Sequence, residues 1–340
     1  MQVFATMSER MGLREAADHA RRVEAIGYDG LLVPEAVHDG LLTSMATLSA
    51  TRELKVATSV LVVFPRSPMT TAYAAWDLQA LSGGRFELGL GTQVRANVVG
   101  RFSTKWLSPV PRMREYVESL RAIFHSFQTG DPLGYDGEHY QFSRLQPFFN
   151  PGPLDCPPPP IHLGAVGPDM TRMAGGTADG LISHPTHSSA RVLAELTLPR
   201  VAEGALRQNR SPEDCPVMAA GFVATGFDET AVAQKREWVR EHFTFLYSTP
   251  AYWPALDHLG FGDVGRKLHD LSRRGCWDDM KGLVSDEMID VLVPQGRYTD
   301  IAKILLDDYD SIVDRITFPV PDDPAHDEQV AEVLAALRGA

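Results

Sequence analysis

The run KVATSVLVVFPRSPMTTAYAAWDLQALSGGRFELGLGT, Lys55 to Thr92, decides how the chain folds. Its opening, KVATSVLVVF, is largely apolar and rich in β-branched side chains, the make-up of a strand buried on both faces. A helix follows over SPMTTAYAAWDLQALS. Proline stands near its start, where a missing N–H costs nothing, and two glycines stand past its end, where the chain exits left-handed. A second apolar strand, RFELGLGT, comes next. Strand, helix, strand, with both strands nearly continuous in apolar residues, is the unit of a parallel sheet covered by helices.

The same rhythm extends both ways. Val3 to Thr6 reads as a strand. The helix after it has Ser8 as its N-cap, Leu13, Ala16, Ala17, Ala20, Val23 and Ile26 at helical spacing, and Gly27 as its stop. YDGLLVPEA is the second strand, and PRMREYVESLRAIFHSF is the helix behind the fourth. Between Thr92 and about Pro109 the chain reads as irregular. A hairpin insertion at about 130–158, turning at YDGEHYQF, then breaks the pattern. PIHLGAV and DGLISHP are strands five and six, DVLVPQG strand seven and DRITFPVP strand eight, each with a helix behind it. The stretch at about 210–288 reads as a largely helical excursion that holds one further strand, PVMAAGFVATG. Eight such units in one domain, 1–340, predict a (β/α)8 TIM barrel with insertions. A doubly wound sheet lacks support, because Thr6-Met7-Ser8 stands where its glycine-rich turn would follow the first strand.

With 340 residues, 44% hydrophobic and 22% charged, the chain can bury a sizeable core. A net charge of −12 with no basic run argues against nucleic acid as a partner. No apolar run reaches the ~18 residues of a membrane span, and MQVFATM lacks the basic start of a secretory leader, so a cytoplasmic protein is expected. Cys156, Cys215 and Cys276 are far apart and form no C-x-x-C, which implies neither a disulfide framework nor zinc.

In a barrel the site lies at the carboxyl ends of the strands. The residues there are Thr6; Glu35, His38 and Asp39; Ser59 to Phe64; Gly91 to Gln93; Gly164 to Pro168; His184 and His187; and Gln295-Gly296. Small and amide-bearing residues outnumber paired acids. His184 and His187 in HPTH lie three apart, with solvated loop histidines as the default reading and metal ligation as the rival. No G-x-S-x-G elbow or H-E-x-x-H motif occurs. A roomy mouth of backbone and uncharged groups suits a large flat cofactor that brings its own reactivity. In HLGAVGPDMTRMAG the glycines precede a helix start, whose free N–H groups attract phosphate, and Arg172 stands one turn in. The plain alternative is a tight turn with proline at the first helical position.

LSGGRFELGLGTQ, GYDGLLVPE, VATSVLVVFPRSPMTTAYAAWDLQALSGGR, LGAVGPDMTRMAGGTADGLI and DVLVPQGRYTDIAKIL resemble, in order, blocks of the bacterial luciferase-like flavin and deazaflavin oxidoreductases. GTQVRAN…RF resembles the coenzyme F420-dependent subgroup. The resemblance spans Val3 to about Pro321. It implies a barrel with a bulge and a non-proline cis peptide at Ser59-Val60, behind the central ring of the cofactor. It further implies that Thr6, Gly91, Thr92 and Gln93 lie along the ring, that Gly164, Ala165, Val166 and Gly167 meet the phosphate, and that Glu35 or His38 handles protons. Ala36 stands where the family often has histidine, and Val94 where it often has glutamate. The implied activity is hydride transfer between coenzyme F420 and a small-molecule substrate, in a homodimer. FMN-dependent monooxygenation, a non-catalytic flavin-binding protein and a cofactor-free sugar-phosphate barrel are the alternatives.

Overall fold

The computed structural model describes residues 1–339. Its main sheet holds the parallel strands β1 (Gln2–Thr6), β2 (Gly30–Val33), β3 (Lys55–Thr58, resumed at Leu61–Val62), β4 (Phe86–Gly91), β5 (Ile161–Gly164), β6 (Gly180–Ile182), β7 (Val217–Ala219) and β8 (Arg315–Thr317). β1 pairs with β2 on one side and β8 on the other, so the sheet closes on itself as a (β/α)8 TIM barrel. Closure removes free strand edges, and helices cover the outside.

Helix limits follow from local chemistry. The helix Pro68–Ser82 starts behind Ser67, whose hydroxyl accepts from Met69 N–H, and stops at Gly83 with φ 63°. The first helix is Leu13–Ile26 and ends at Gly27, φ 102°. Ser8 is not its cap; Gly12 is, with its N–H donated to Glu15 at 3.0 Å. The segment expected to be irregular after β4 contains a short helix, Arg95–Gly100, in which Val98 alone is buried, too little apolar signal to betray it. The insertion forms a small antiparallel hairpin, Tyr135–Asp136 with Gln141–Phe142. Its turn is fastened by the Glu115 carboxylate, which accepts the N–H groups of Glu138, His139 and Tyr140.

The seventh strand differs from the sequence reading. DVLVPQG does not enter the barrel: Asp286–Leu292 is helical, and Gln295–Arg297 pairs outside the barrel with Ala224–Gly226. Val217–Ala219 takes the place between β6 and β8. Both segments read as strands from the sequence, and a short apolar run does not by itself say whether it joins the barrel or turns helical. What tips 286–292 to helix is Ser285, whose hydroxyl caps Met288 N–H, and a buried face of Met288, Ile289 and Leu292. The elements between β7 and β8 build their own apolar cluster around Val239, Phe243, Tyr247, Leu256 and Met288. No helix among the described residues is long and apolar enough to cross a membrane.

The barrel interior is filled in layers. Glu87, His162 and Arg315 meet near the amino end: His162 Nε2 is 3.0 Å and Arg315 Nη1 2.8 Å from Glu87 Oε2. Above them Phe4, Leu32, Ala57, Ile182 and Met218 form a dry plug. The site is what lies on top of that plug.

Candidate functional site

The floor of the mouth is made where β3 breaks. Five residues run from Ala57 to Leu61 against four from Glu87 to Leu90, so β3 carries one residue more than its partner, a bulge. Thr58 repairs the ladder there. Its hydroxyl donates to Gly89 O at 2.7 Å and accepts Gly89 N–H at 2.9 Å, standing in for a strand backbone. The contact is so close that a β-carbon on Gly89 would fall 1.8 Å from Thr58 O. The Ser59–Val60 peptide bond is cis, as the resemblance implied. Val60 then lies across the ends of β4 and β5: a β-carbon would meet its side chain at 2.3 Å from Gly91 and at 3.0 Å from Gly164. The two glycines are therefore the space that Val60 occupies.

Alternation along the strands sets the layer above the plug. Phe4 and Glu87 face inward, hence also Thr6 and Gly91; His162 and Ile182 do likewise, hence Gly164 and His184. Ala220 packs on the same plug from β7. Four of these five mouth positions are small, and His184 is the exception. Its Nδ1 is 2.8 Å from Thr186 Oγ1, which is 2.9 Å from His187 Nδ1. His184 stacks on Tyr252, ring centroids 4.3 Å apart. Burial pushes the His184 imidazolium down to about 4. Burial, then the charges of His184 and Arg200, push His187 down to about 3. Both rings are neutral at pH 7. They are not the solvated loop histidines of the default sequence reading, and among the described residues no group of three or more His, Cys, Asp or Glu could hold a metal ion. The two-residue alternation from Gly180 through Ile182 to His184 is the signal that marks His184 as inward-facing.

Glu35, expected as an acid–base group, is tied into a network of hydrogen bonds. Its carboxylate accepts Val62 N–H at 2.6 Å, and Arg66 grips both oxygens at 2.6 and 2.9 Å. Arg66 also donates to Asp39 at 2.8 Å, and Asp39 caps the helix Gly40–Ala50. This network fastens the loop after β2 to the loop after β3, with both Glu35 oxygens bonded. His38 is exposed on the same loop and makes no hydrogen bond among the described residues.

Thr92 and Gln93 follow β4 in place, but Gln93 turns its side chain away from the mouth. With φ 63° it accepts Val94 N–H and Asn97 Nδ2 through its own amide oxygen, tying down the start of the helix Arg95–Gly100. Arg101, at the end of that helix, donates to Ala36 O and closes the loop over the β2 side. Gly164, Ala165, Val166 and Gly167 lead from β5 into the helix Pro168–Thr177, whose N-cap Gly167 has no side chain to satisfy the first N–H groups. Arg172 does not face that end; Asp169 and Glu203 hold it on the outer surface. Gln295-Gly296 lie on the outer two-stranded sheet, away from the barrel strands.

The model of the luciferase-like monooxygenase family matches residues 2–315. An uncharacterised protein of Mycobacterium tuberculosis is 40% identical over 304 residues, 89% of each chain. A putative coenzyme F420-dependent oxidoreductase of the same species is 28% identical, over 86% of this chain and 87% of that one. The coenzyme F420-dependent tetrahydromethanopterin reductase of Methanopyrus kandleri superposes with a TM-score of 0.78 over 98% of this chain and 97% of its own, at 17% identity, a likeness of fold. With a family model running from the first barrel strand into the last, the chain belongs to the luciferase-like monooxygenase family and is an enzyme.

Proposed function

We propose that the protein is a coenzyme F420-dependent oxidoreductase that moves a hydride between the deazaflavin and a small organic molecule at the barrel mouth. The observation that carries this reading is the floor of Val60 set into Gly91 and Gly164, ringed by the small residues Thr6 and Ala220. A flat ring needs a surface without projecting polar side chains, and these residues fit one. The 28%-identical relative named for coenzyme F420 supports the choice of cofactor. In this reading Thr6, Ser59, Val60, Gly91, Thr92 and Gln93 hold the ring system, largely through main-chain atoms. Gly164, Ala165, Val166 and Gly167, at an uncapped helix start, take the phosphate. Once bound, the cofactor supplies two-electron hydride chemistry, which side chains alone do not offer.

The chain's own residues provide placement and a dry floor. The Glu35–Arg66–Asp39 network fixes the loops on one side of the mouth. His38, exposed on the same loop, is the proton-handling group of this reading. The matching family model, described by monooxygenases, favours FMN as the second reading. Titrating the purified protein with coenzyme F420 and with FMN, followed by fluorescence quenching, separates the two. Saturable quenching by F420 with none by FMN is expected; tight FMN binding without F420 binding reverses the assignment.

A further inference from the structure

His184 presents a hydrogen-bond donor to the mouth that nothing among the described residues accepts. Its backbone continues the extended run of β6, with φ −78° and ψ 147°, so its side chain stands over the plug on the same face as Ile182. The network assigns its tautomer. Thr186 N–H points at His184 Nδ1 at 3.3 Å, so that nitrogen carries no hydrogen. The Thr186 hydroxyl then donates to the same Nδ1 and accepts from His187 Nδ1–H. The His184 proton is left on Nε2, on the opposite side of the ring from its loop. Nε2 has no partner among the described residues, and unlike His187 Nε2 it is not among the sealed, unbonded buried atoms. Stacking on Tyr252, 11° from parallel, holds the ring in place.

A neutral N–H, fixed in direction, in a layer whose other strand positions carry glycine, alanine and threonine, selects an oxygen acceptor that need not be charged. A cationic or metal-bound group would select an anion instead. We propose that His184 Nε2–H binds and orients the oxygen of a neutral carbonyl- or hydroxyl-bearing substrate. The proposal rests on the oxidoreductase reading only in calling that molecule the substrate; the donor itself stands on the geometry of the chain. Tyr252 belongs to the same device as a positioning residue, acting through the imidazole plane.

Two measurements on the full chain, without turnover, test it. Long-range 1H–15N spectra of the histidine rings at pH 7 should show a protonated Nε2 and a bare Nδ1 for His184, identified by its loss in H184Q. Cyclohexanone and methylenecyclohexane, equal in shape and different in the acceptor, should then be compared by ligand-observed NMR. The wild-type chain is expected to prefer the ketone by about fivefold, the worth of one neutral hydrogen bond. H184F should abolish the preference while keeping its grip on methylenecyclohexane, which also shows that the variant is folded. H184Q, whose amide nitrogen reaches the position of Nε2, should restore part of it. The opposite tautomer, no ketone preference in the wild type, or a preference that survives H184F overturns the proposal. If coenzyme F420 fails to bind while the ketone preference holds, the cofactor assignment falls and the donor stands.

Discussion

Val60 occupies the space that a side chain on Gly91 would need: a β-carbon there would stand 2.3 Å from Val60 Cγ2. Neither residue can change size alone. G91A must push Val60 toward the mouth, a forced overpacking of roughly 1–3 kcal/mol. Urea denaturation should show that loss, and F420 quenching should weaken in parallel. V60A in the same chain should recover most of both, because the clash is pairwise. A double variant no better than G91A would mean that the floor is not built on this contact.

Glu35 and Arg66 make the second testable pair. The Glu35 side chain is 6% exposed and that of Arg66 21%. E35Q leaves the guanidinium half-buried with Asp39 as its remaining carboxylate, a loss on the order of 3 kcal/mol. Thermal unfolding should register it. R66K should also destabilise, because an ammonium cannot grip both oxygens of Glu35. An E35Q chain of unchanged stability but lost activity would return Glu35 to the acid–base role that its bonding argues against.

The contrast between these two sites shows where sequence reading reaches. Most of the barrel is legible because its strands are continuous apolar runs and its helices are punctuated, as at Ser67, Pro68 and Gly83. Strand seven is not, because Val217–Ala219 and the run VLV at 291–293 are both short and apolar, and the cap at Ser285 draws the start of the second into a helix. The short helix Arg95–Gly100 has one buried residue and no period to read. At the site, the engagement of Glu35 depends on an arginine 31 residues further on, brought in by loop closure. The facing of His184 is different: it follows from simple alternation past Ile182.

Inside the barrel, burial alone would raise the Glu87 carboxyl, but His162 and Arg315 overcome it and hold the group down at about 2. A carboxyl lowered on folding stabilises the native state above its unfolded value and loses that contribution as pH falls toward 2. E87Q should therefore cost stability at neutral pH, on the order of 3 kcal/mol, since Arg315 would keep no carboxylate inside the barrel. The gap from wild type should narrow as pH falls below the ordinary value of 4.5, because the unfolded wild-type carboxyl then binds a proton that the folded one still refuses. Denaturation curves at pH 7 and pH 3 check both parts; a gap that is constant with pH would assign the loss to packing.

The His184–Thr186–His187 chain gives the opposite half of the acid profile. A histidine lowered on folding binds its proton more readily in the unfolded chain, so stability is complete above the ordinary value of 6.5 and drains away as pH falls through the folded value. For His184, lowered from 6.5 to about 4, the loss by pH 4 is about 3 kcal/mol. His187, lowered further, adds to it in the same direction. Urea denaturation at pH 7, 5.5 and 4.5 should show wild type weakening steadily, and H184Q weakening less steeply because one buried ring no longer has to take up a proton. T186V should lower stability at every pH, since it removes the hydroxyl that both Nδ1 atoms share and strands that of His187. Parallel curves for wild type and H184Q would place the His184 ring in water, and a ring in water could not hold the fixed direction that its Nε2–H needs.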